Sequence, residues 1–419
     1  MSYLPRYAER LLKEYQKVFK ATLLLGPRQC GKTTLLKHLF PDVPMVTFDP
    51  VEDIQGARRD PDGFLRNFPP PLIIDEAQYA PELFPALKRF MDARDEKGQY
   101  FLTGSQNPLM LRQVAEGMPG RVGILEIGHM DATELAGLGD HEPWLKIWLG
   151  DKGAAFPQKY TTLPKPDAGA ELRALWRGGM PGLLDTPDNL IQRALKSYFN
   201  TYLERDVRVV SDIADVPQFA NFAALCAALT AQEINLAQFG RDIGAKPQTV
   251  RRWLGILQAT YQWHALRPFT RNAIKRLSGK PKGHLSDTGL ACLLQYIDNS
   301  AALNVSPLKG AFFETWVANS VKKQFATLDT EPGFFHWRTL AGAEADIVLE
   351  LGGTHYLVEA KSKTHIDGHD TSGVRAFRKT YNEPDAPAVI VHTGDTCRAL
   401  DAHTLAMPWN AIPTLSATQ

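Results

Sequence analysis

Short apolar runs alternate with amphipathic stretches over the first third of the chain. Residues 21–25, 72–74 and 100–102 have the length and composition of buried strands, whereas residues 83–91 carry apolar side chains at helical spacing. Strands that alternate with helices in this way are typical of a parallel sheet with helices on its faces. Residues 1–138 are therefore predicted to form an α/β domain.

Beyond residue 138 the pattern changes three times. Residues 139–170 are rich in Gly, Pro and Lys and predict a linker or surface insertion, although Trp144 and Trp148 indicate that part of it packs against something. Residues 171–230 carry apolar side chains at three- and four-residue spacing, which predicts a helical region. Residues 231–287 predict a small basic domain. Residues 288–419 predict a second α/β unit, with one helix followed by extended segments.

The composition is that of a globular protein and excludes several classes. Of 419 residues, 44% are hydrophobic and 22% are charged, and no apolar run approaches the roughly 18 residues of a membrane helix. The 4 cysteines lie too far apart for a metal cluster or a disulfide framework. Residues 1–10 are polar and charged, unlike a secretory signal. We expect a cytoplasmic protein with reduced thiols and no membrane contact.

The strongest motif is GPRQCGKT at residues 26–33, the phosphate loop, which matches G-x-x-x-x-G-K-[ST] at every fixed position. A predicted buried strand precedes the loop and a predicted helix follows it, so that backbone N–H groups would surround phosphate oxygens. Lys32 would neutralise the β- and γ-phosphates of ATP, and the Thr33 hydroxyl would hold Mg²⁺. The predicted nucleotide-binding residues are Gly26, Pro27, Arg28, Gln29, Cys30, Gly31, Lys32, Thr33 and Thr34.

Two carboxylates end the second apolar run. Asp75 is predicted to hold the Mg²⁺ and Glu76 to orient or deprotonate the attacking water, at the end of a strand that neighbours the one before the phosphate loop. The third run is followed by Thr103 and Ser105, small polar residues placed where a central strand would reach the γ-phosphate. Together these residues predict an ATP-hydrolysing site that uses Mg²⁺.

The segments GPRQCGKTT, LIIDEAQ and FLTGSQ, in this order, resemble the AAA-type ATPases, found widely in bacteria and archaea, in which an uncharacterised C-terminal domain follows the ATPase. Residues 177–182 and 202–206 are similar to that group too, so the resemblance covers most of the chain. It implies Ser105 or Thr103 as the sensor of the γ-phosphate. It also implies Arg121 as the charge-stabilising arginine, acting within a homo-oligomer such as a ring, with an ordinary surface role as its alternative. Arg205 is a second candidate, with a structural ion pair as its alternative.

Residues 231–285 contain 10 cations and 2 anions, a net charge of +8 in a chain whose total is only +1. Their apolar pattern predicts a helix, a turn at Gly244, a second helix and two extended pieces flanking a basic loop, an order that resembles a winged helix. Winged helices also serve as ATPase lids and protein-interaction modules, so these alternatives stay open. The residues predicted to contact duplex or branched DNA are Gln248, Thr249, Arg251 and Arg252 on the second helix and Arg271, Lys275, Arg276 and Lys280 toward the DNA backbone.

The last unit carries the pattern of a metal-dependent nuclease. Glu314 lies near the start of a predicted helix, Asp346 on the first of two predicted strands, and Glu359 and Lys361 on one face of the second. An acid followed by Glu-x-Lys on the next strand resembles the PD-(D/E)XK nuclease fold. Asp346 and Glu359 would then ligate Mg²⁺, and Lys361 would position or activate the water, with Glu344 as a further candidate. The alternative is a domain that keeps this shape without cleaving DNA.

The predicted fold class is α/β: a P-loop AAA-type parallel sheet, a helical and winged-helix region, and a small nuclease-like α/β domain. The predicted function is an ATPase, with Lys32, Glu76, Ser105 and Arg121 as catalytic residues, that engages DNA as a processing motor or switch. Two other hypotheses remain, a regulatory switch that binds protein partners and a nuclease gated by the ATPase. DNA-stimulated ATP hydrolysis would separate the first of these from the DNA motor, and DNA cutting that persists without Lys32 would favour the second.

Overall fold

The structure is a computed structural model of the protein, and it describes residues 3–105, 114, 118–165, 167–208, 213 and 215–414. Its α-helices are, in chain order, Ala8–Val18, Lys32–Leu39, Pro61–Asn67, Leu83–Asp92, Ala132–Leu135, Trp144–Gly150, Ala170–Arg177, Asp188–Tyr202, Val216–Ala228, Leu236–Ile243, Pro247–Ala259, Ala273–Ser278, Thr288–Leu294, Ser300–Val305, Lys309–Gln324 and Ser372–Tyr381. Within the described part of the chain, no helix combines the length and the apolar character needed to cross a membrane.

The strands of the described residues are β1 (Ala21–Leu25), β2 (Met45–Thr47), β3 (Leu72–Asp75), β4 (Tyr100–Gly104), β5 (Val122–Glu126), β6 (Tyr160–Thr162), β7 (Gln232–Glu233), β8 (Trp263–Pro268), β9 (Lys282–Leu285), β10 (Gly333–Arg338), β11 (Glu344–Leu351), β12 (Thr354–Lys361), β13 (Ala388–His392), β14 (Arg398–Asp401), β15 (Thr404–Pro408) and β16 (Ala411–Pro413).

The N-terminal unit is a parallel sheet with the strand order β2-β3-β4-β1-β5. Every residue of β1, β3 and β4 is buried, which explains why these strands are continuous apolar runs rather than alternating patterns. The prediction of a parallel α/β sheet is confirmed. One detail differs: β4 lies between β1 and β3, so the strand that ends in Asp75 is not the immediate neighbour of the strand before the phosphate loop. The end of β4 therefore separates the two motifs.

A second sheet has the order β14-β15-β13-β12-β11-β10-β8-β9-β7 and takes its strands from two parts of the chain. Strands β7 to β9 belong to residues 231–287, the basic segment, and β10 to β15 to the last unit. The two groups join where β8 pairs in parallel with β10. One continuous sheet thus joins strands from both sides of the domain boundary predicted between residues 287 and 288.

The basic segment contains the predicted helices, Leu236–Ile243 and Pro247–Ala259, followed by β8 and β9. Gly244 has φ +67° at the C-terminus of the first helix, a conformation that glycine adopts without strain. Val250, Trp253, Leu254 and Leu257 are buried, as the apolar stripe predicts. The two helices and the two extended pieces thus follow one another as predicted, but the predicted basic loop contains the helix Ala273–Ser278.

The predicted linker, residues 139–170, contains the helix Trp144–Gly150 and β6. Trp148 is fully buried and meets the ring of Tyr356 edge to face at 5.4 Å. Strand β6 pairs with β16. The packing indicated by the two tryptophans is thus against the C-terminal unit, while the predicted helical region 171–230 follows as the helices Ala170–Arg177, Asp188–Tyr202 and Val216–Ala228.

Candidate functional site

The phosphate loop lies between the end of β1 and the start of the helix Lys32–Leu39, as the motif requires. A Cβ atom on Gly26 would lie 2.1 Å from the carbonyl oxygen of Ile127, and Gly31 has φ +93°, so both positions need glycine. The Arg6 guanidinium supports the loop from behind. Its Nη1 donates to the Cys30 carbonyl oxygen at 2.7 Å, and its Nε lies 3.0 Å from the Glu134 carboxylate. No motif in the sequence indicated this role for Arg6.

Lys32 lies at the start of that helix with only 5% of its surface exposed. Its Nζ donates to the carbonyl oxygens of Gly26 and Pro27, each at 2.9 Å. These acceptors carry no net charge, whereas the oxygens of a phosphate do, and charge-assisted hydrogen bonds are roughly twice as strong as neutral ones. The ammonium group is therefore held in place by partners that a phosphate can replace.

Asp75 is the point where the predicted residues meet. Its Oδ1 accepts hydrogen bonds from the hydroxyls of Thr33 at 2.8 Å and Thr103 at 2.7 Å, and its Oδ2 from Thr47 at 3.3 Å. The structure thus brings Thr33 and Asp75, the two predicted Mg²⁺ residues, into direct contact. Hydroxyl and carboxylate oxygens are ligands that Mg²⁺ prefers, so these residues fit that ion.

Glu76 follows β3 in an unusual backbone conformation, with φ +55° and ψ +44°. A residue with a Cβ atom in this left-handed region costs about 1–3 kcal/mol, and such residues concentrate at functional sites. Its N–H donates to the Thr103 hydroxyl at 3.0 Å, and its carboxylate contacts the Ser105 hydroxyl at 3.4 Å and the amide of Gln78. Thr103 and Ser105, the two candidates for the γ-phosphate sensor, therefore contact Asp75 and Glu76.

Arg28, within the phosphate loop, reaches a different part of the chain. Its Nε and Nη2 donate to the two carboxylate oxygens of Asp206, each at 2.8 Å. Asp206 is 2% exposed and lies on the π-helical turn Leu203–Val207, a kind of turn that is frequent at functional sites. Hydrogen bonding to Asp206 holds the pKa of Arg28 above its usual value, although burial lowers it. This contact ties the loop to the helical region.

Arg205, the second candidate for the charge-stabilising arginine, is exposed beside this pair. The two acids that flank it have other partners, because Glu204 pairs with Arg208 and Asp206 pairs with Arg28. The ion pair expected for Arg205 is therefore not formed with either neighbour.

Arg121 lies at the edge of the parallel sheet opposite to the phosphate loop. It precedes β5, whose Val122 pairs with Ala21 at the start of β1, whereas the phosphate loop follows the end of β1. Its Nη2 donates to the Asp92 carboxylate at 3.1 Å, and 30% of its side chain is exposed. The structure does not bring Arg121 to the phosphate loop of its own chain.

The helix Pro247–Ala259 exposes three of its four predicted DNA-binding residues, Gln248, Arg251 and Arg252, while Thr249 is half-buried. Among the described residues, no carboxylate lies within salt-bridge distance of either arginine. Of the four cations predicted to contact the DNA backbone, Lys275 and Lys280 are exposed. The other two are engaged by the C-terminal unit, because Arg271 pairs with Glu383 at 2.8 Å and Arg276 with Glu350 at 2.6 Å. Arg276 is half-buried in its pair, whereas the Arg271 side chain is 61% exposed, so DNA contact by Arg271 stays a prediction.

The structure brings the four nuclease-type residues together. Strands β11 and β12 form the predicted hairpin, whose turn at Gly352 and Gly353 has positive φ at both positions. The Glu359 carboxylate accepts from the N–H of Asp346 at 3.2 Å and lies 2.8 Å from Lys361 Nζ. Burial, with the Asp346 charge, raises the pKa of Glu359 to about 8. Burial and Asp346 also raise the pKa of Glu314 well above its usual value.

A fifth residue, absent from the predicted site, enters this cluster. Lys282 on β9 places its Nζ 3.2 Å from Asp346 Oδ1 and 3.5 Å from Glu344 Oε1, and it also contacts Glu314 Oε1. Burial would lower the pKa of Lys282, but the three carboxylates raise it above its usual value. The sequence showed Lys282 only as one cation of the basic segment.

The carboxylate cluster, Glu314, Glu344 and Asp346, has oxygen atoms within 4.8 Å of one another, a spacing that suits one cation. The ammonium of Lys282 lies against all three residues. As they stand, these residues do not fit a resident divalent metal, because the metal and the ammonium would repel each other at this distance. No cleavage step follows from this arrangement.

Three family models match separate parts of the chain. Residues 18–136 match an AAA domain, residues 171–301 a domain of unknown function (DUF8612) and residues 309–412 a domain of unknown function (DUF4143). Uncharacterized proteins of Mycobacterium tuberculosis and Mycobacterium bovis are each 29% identical over 340 residues, which cover 81% of this chain and 69% of theirs.

Solved ATPases are similar at lower identity. The Walker-type ATPase of Pyrococcus abyssi is 16% identical with a TM-score of 0.45, over 70% of this chain and 99% of that one. The Holliday junction branch migration motor RuvB of Thermotoga maritima is 18% identical with a TM-score of 0.30, over 64% and 93%. The family match to the AAA domain spans every strand of the parallel sheet together with the phosphate loop and Asp75, and the N-terminal unit is therefore a domain of the AAA-type P-loop ATPase fold.

Proposed function

We propose that the protein hydrolyses ATP at the phosphate loop and uses the nucleotide cycle to change its contact with DNA through a winged helix in the basic segment. The observation that carries the ATPase part is the hydrogen-bonded chain at Asp75: the hydroxyls of Thr33 and Thr103 donate to its carboxylate, and the Glu76 N–H donates to Thr103. Lys32, held by neutral acceptors, lies next to this chain. Bound Mg²⁺ would neutralise charge that develops on the β- and γ-phosphates.

Each residue of the site has one task in this proposal. Lys32 exchanges the carbonyl oxygens of Gly26 and Pro27 for phosphate oxygens. Thr33 and Asp75 hold the Mg²⁺. Glu76 orients the attacking water and accepts its proton at a carboxylate oxygen. Ser105 keeps the Glu76 side chain in place by hydrogen bonding, and Thr103 fixes its backbone N–H.

The DNA part of the proposal is supported by the surface of the helix Pro247–Ala259. Gln248, Arg251, Arg252 and Gly255 are all exposed and lie on one face at three- and four-residue spacing. A Cβ atom on Gly255 would meet open space, so the folded chain itself does not require glycine there. Glycine costs about 1 kcal/mol relative to alanine inside a helix. We attribute its presence to the close approach of a DNA backbone to this face.

ATPase rates measured without DNA, and with single strands, duplex and a four-way junction, test the proposal. We expect at least one DNA form to raise the rate and high salt to remove the effect. The double variant Arg251→Ala/Arg252→Ala should lose the stimulation and keep the basal rate. Arg193→Ala/Lys196→Ala removes two exposed cations from another helix and serves as the matched control. A basal rate indifferent to every DNA form would refute the DNA part and leave the ATPase part standing.

We further propose that the protein acts as a homo-oligomer in which Arg121 stabilises charge at the phosphates of a neighbouring subunit. Its place at the edge opposite to its own phosphate loop supports an action between subunits rather than within one. The arginine can leave Asp92, because exposed ion pairs contribute little free energy.

A further inference from the structure

We propose that Lys282 is the resident cation of the carboxylate cluster and that it takes the place of a divalent metal. In this role it fastens strand β9 of the basic segment to the nuclease-like unit. The cluster is then a latent metal site, which becomes available to an ion such as Mn²⁺ only when the ammonium group is removed. This inference concerns the C-terminal half and does not rest on ATP hydrolysis.

Lys282 and its three carboxylate partners come from different parts of the chain. Lys282 comes from β9, Glu314 from the helix Lys309–Gln324, and Glu344 and Asp346 from β11. The ammonium group lies against all three acids, and the Lys282 side chain is 5% exposed. One buried cation that joins three acidic side chains from two other elements does what a structural metal does, and it requires no ion from solution.

Lys282 is held in position by the two strands that flank it. The backbone of Lys282 pairs with Glu233 on β7 and with Leu266 on β8. It therefore has a strand on each side, and β8 in turn pairs with β10, the neighbour of β11. A metal could displace the ammonium only if this sheet deformed or if the buried charge moved without a partner, and an unpaired buried charge is costly.

The other polar groups near the cluster are already paired with one another. The second oxygen of Asp346 accepts from the N–H of Ala360 at 2.9 Å, and Lys361 is already paired with Glu359. The residues that would have to bind a metal and orient a water are thus engaged with one another.

Titration with Mn²⁺ alone, followed by calorimetry and electron paramagnetic resonance, tests the inference. Asp75→Asn is included in every protein so that the phosphate site contributes no metal binding. We expect this protein to bind no Mn²⁺ at the cluster, and the addition of Lys282→Met to create one stoichiometric site. A further change, Asp346→Asn, should abolish that site. Lys363→Met removes an exposed lysine two residues beyond the end of β12 and serves as the control.

Two results would overturn the inference. One is stoichiometric Mn²⁺ binding with Lys282 intact that disappears in Asp346→Asn. The other is a folded Lys282→Met protein that gains no site. If Lys282→Met does not fold, Lys282→Gln keeps a hydrogen-bond donor without the charge and replaces it. If neither folds, the test with Lys282 intact still decides: binding that depends on Asp346 overturns the inference, and its absence supports it.

Discussion

Lys32 and Lys282 are both buried lysines, 5% and 4% exposed, and both lie in sites whose sequence patterns belong to metal-dependent chemistry. Lys32 is held by two backbone carbonyl oxygens, whereas Lys282 is held by three carboxylates. A phosphate can outcompete neutral acceptors but not a set of buried counter-charges. A complete motif therefore predicts a site, while the partners of its cation decide whether the site can accept a ligand.

Replacing each lysine with methionine tests this difference between Lys32 and Lys282 most directly. Lys32→Met should lower ATP turnover by about 100-fold or more, since it removes a cation from the transferring phosphate. Lys282→Met should leave turnover nearly unchanged but lower the free energy of unfolding by about 3–5 kcal/mol, the usual cost of breaking a buried ion pair. Steady-state ATPase assays and urea unfolding measure the two effects. Lys37→Met, an exposed position on the same helix as Lys32, is the control. Loss of turnover in Lys282→Met with no loss of stability would contradict the comparison.

Arg121 is intermediate between the two lysines in how firmly its partner holds it, because that partner is a carboxylate but the pair is partly exposed. We expect Arg121→Ala to keep the affinity for ATP and to lower turnover, by about 100-fold or more if it acts as an arginine finger. Nucleotide binding and turnover measured separately check this. Arg89→Ala removes another exposed arginine that is paired with an aspartate and should have no effect. Unchanged turnover in Arg121→Ala would exclude the role.

Mixed oligomers sharpen the same test. A Lys32→Met subunit still supplies Arg121, and an Arg121→Ala subunit still supplies an intact phosphate loop. If the arginine acts between subunits, a mixture of the two inactive proteins should recover part of the turnover. A mixture that forms oligomers and stays inactive would place the defect within one subunit.

Changes in the pair of Arg28 and Asp206 should affect turnover less than Lys32→Met or Arg121→Ala. Its atoms meet in two hydrogen bonds, with Arg28 17% and Asp206 2% exposed. Arg28→Gln and Asp206→Asn should each lower the free energy of unfolding by about 2 kcal/mol, less than a fully buried pair because water still reaches the guanidinium. Turnover should change only a few-fold. In urea unfolding, the double variant should lose less than the sum of the single variants. Strict additivity would mean that the two residues do not act as a pair.

The features predicted from the sequence are those with local patterns. The phosphate loop, the strand that ends in Asp75 and Glu76, and the hairpin from β11 to β12 each follow from residues close together in the chain. Apolar runs and turn glycines specify such elements directly.

The features that sequence reasoning missed are contacts between distant segments. Lys282 meets Asp346 across 64 positions, Arg6 meets Glu134 across 128, and Arg28 meets Asp206 across 178. A single charged residue has no period that announces its partner. The central position predicted for β4 is confirmed. The prediction that β3 neighbours β1 was wrong, because strand order depends on long crossovers and not on any one strand's composition.

The parallel pairing of β8 with β10 has a consequence for any attempt to divide the protein. Production of either half alone, cut between residues 287 and 288, would expose the backbone N–H and C=O groups along that seam as open sheet edges. Unprotected edges of this kind promote aggregation by pairing with other chains. The basic segment and the C-terminal unit should therefore be expressed together, and a genetic fusion that separates them is expected to yield insoluble material.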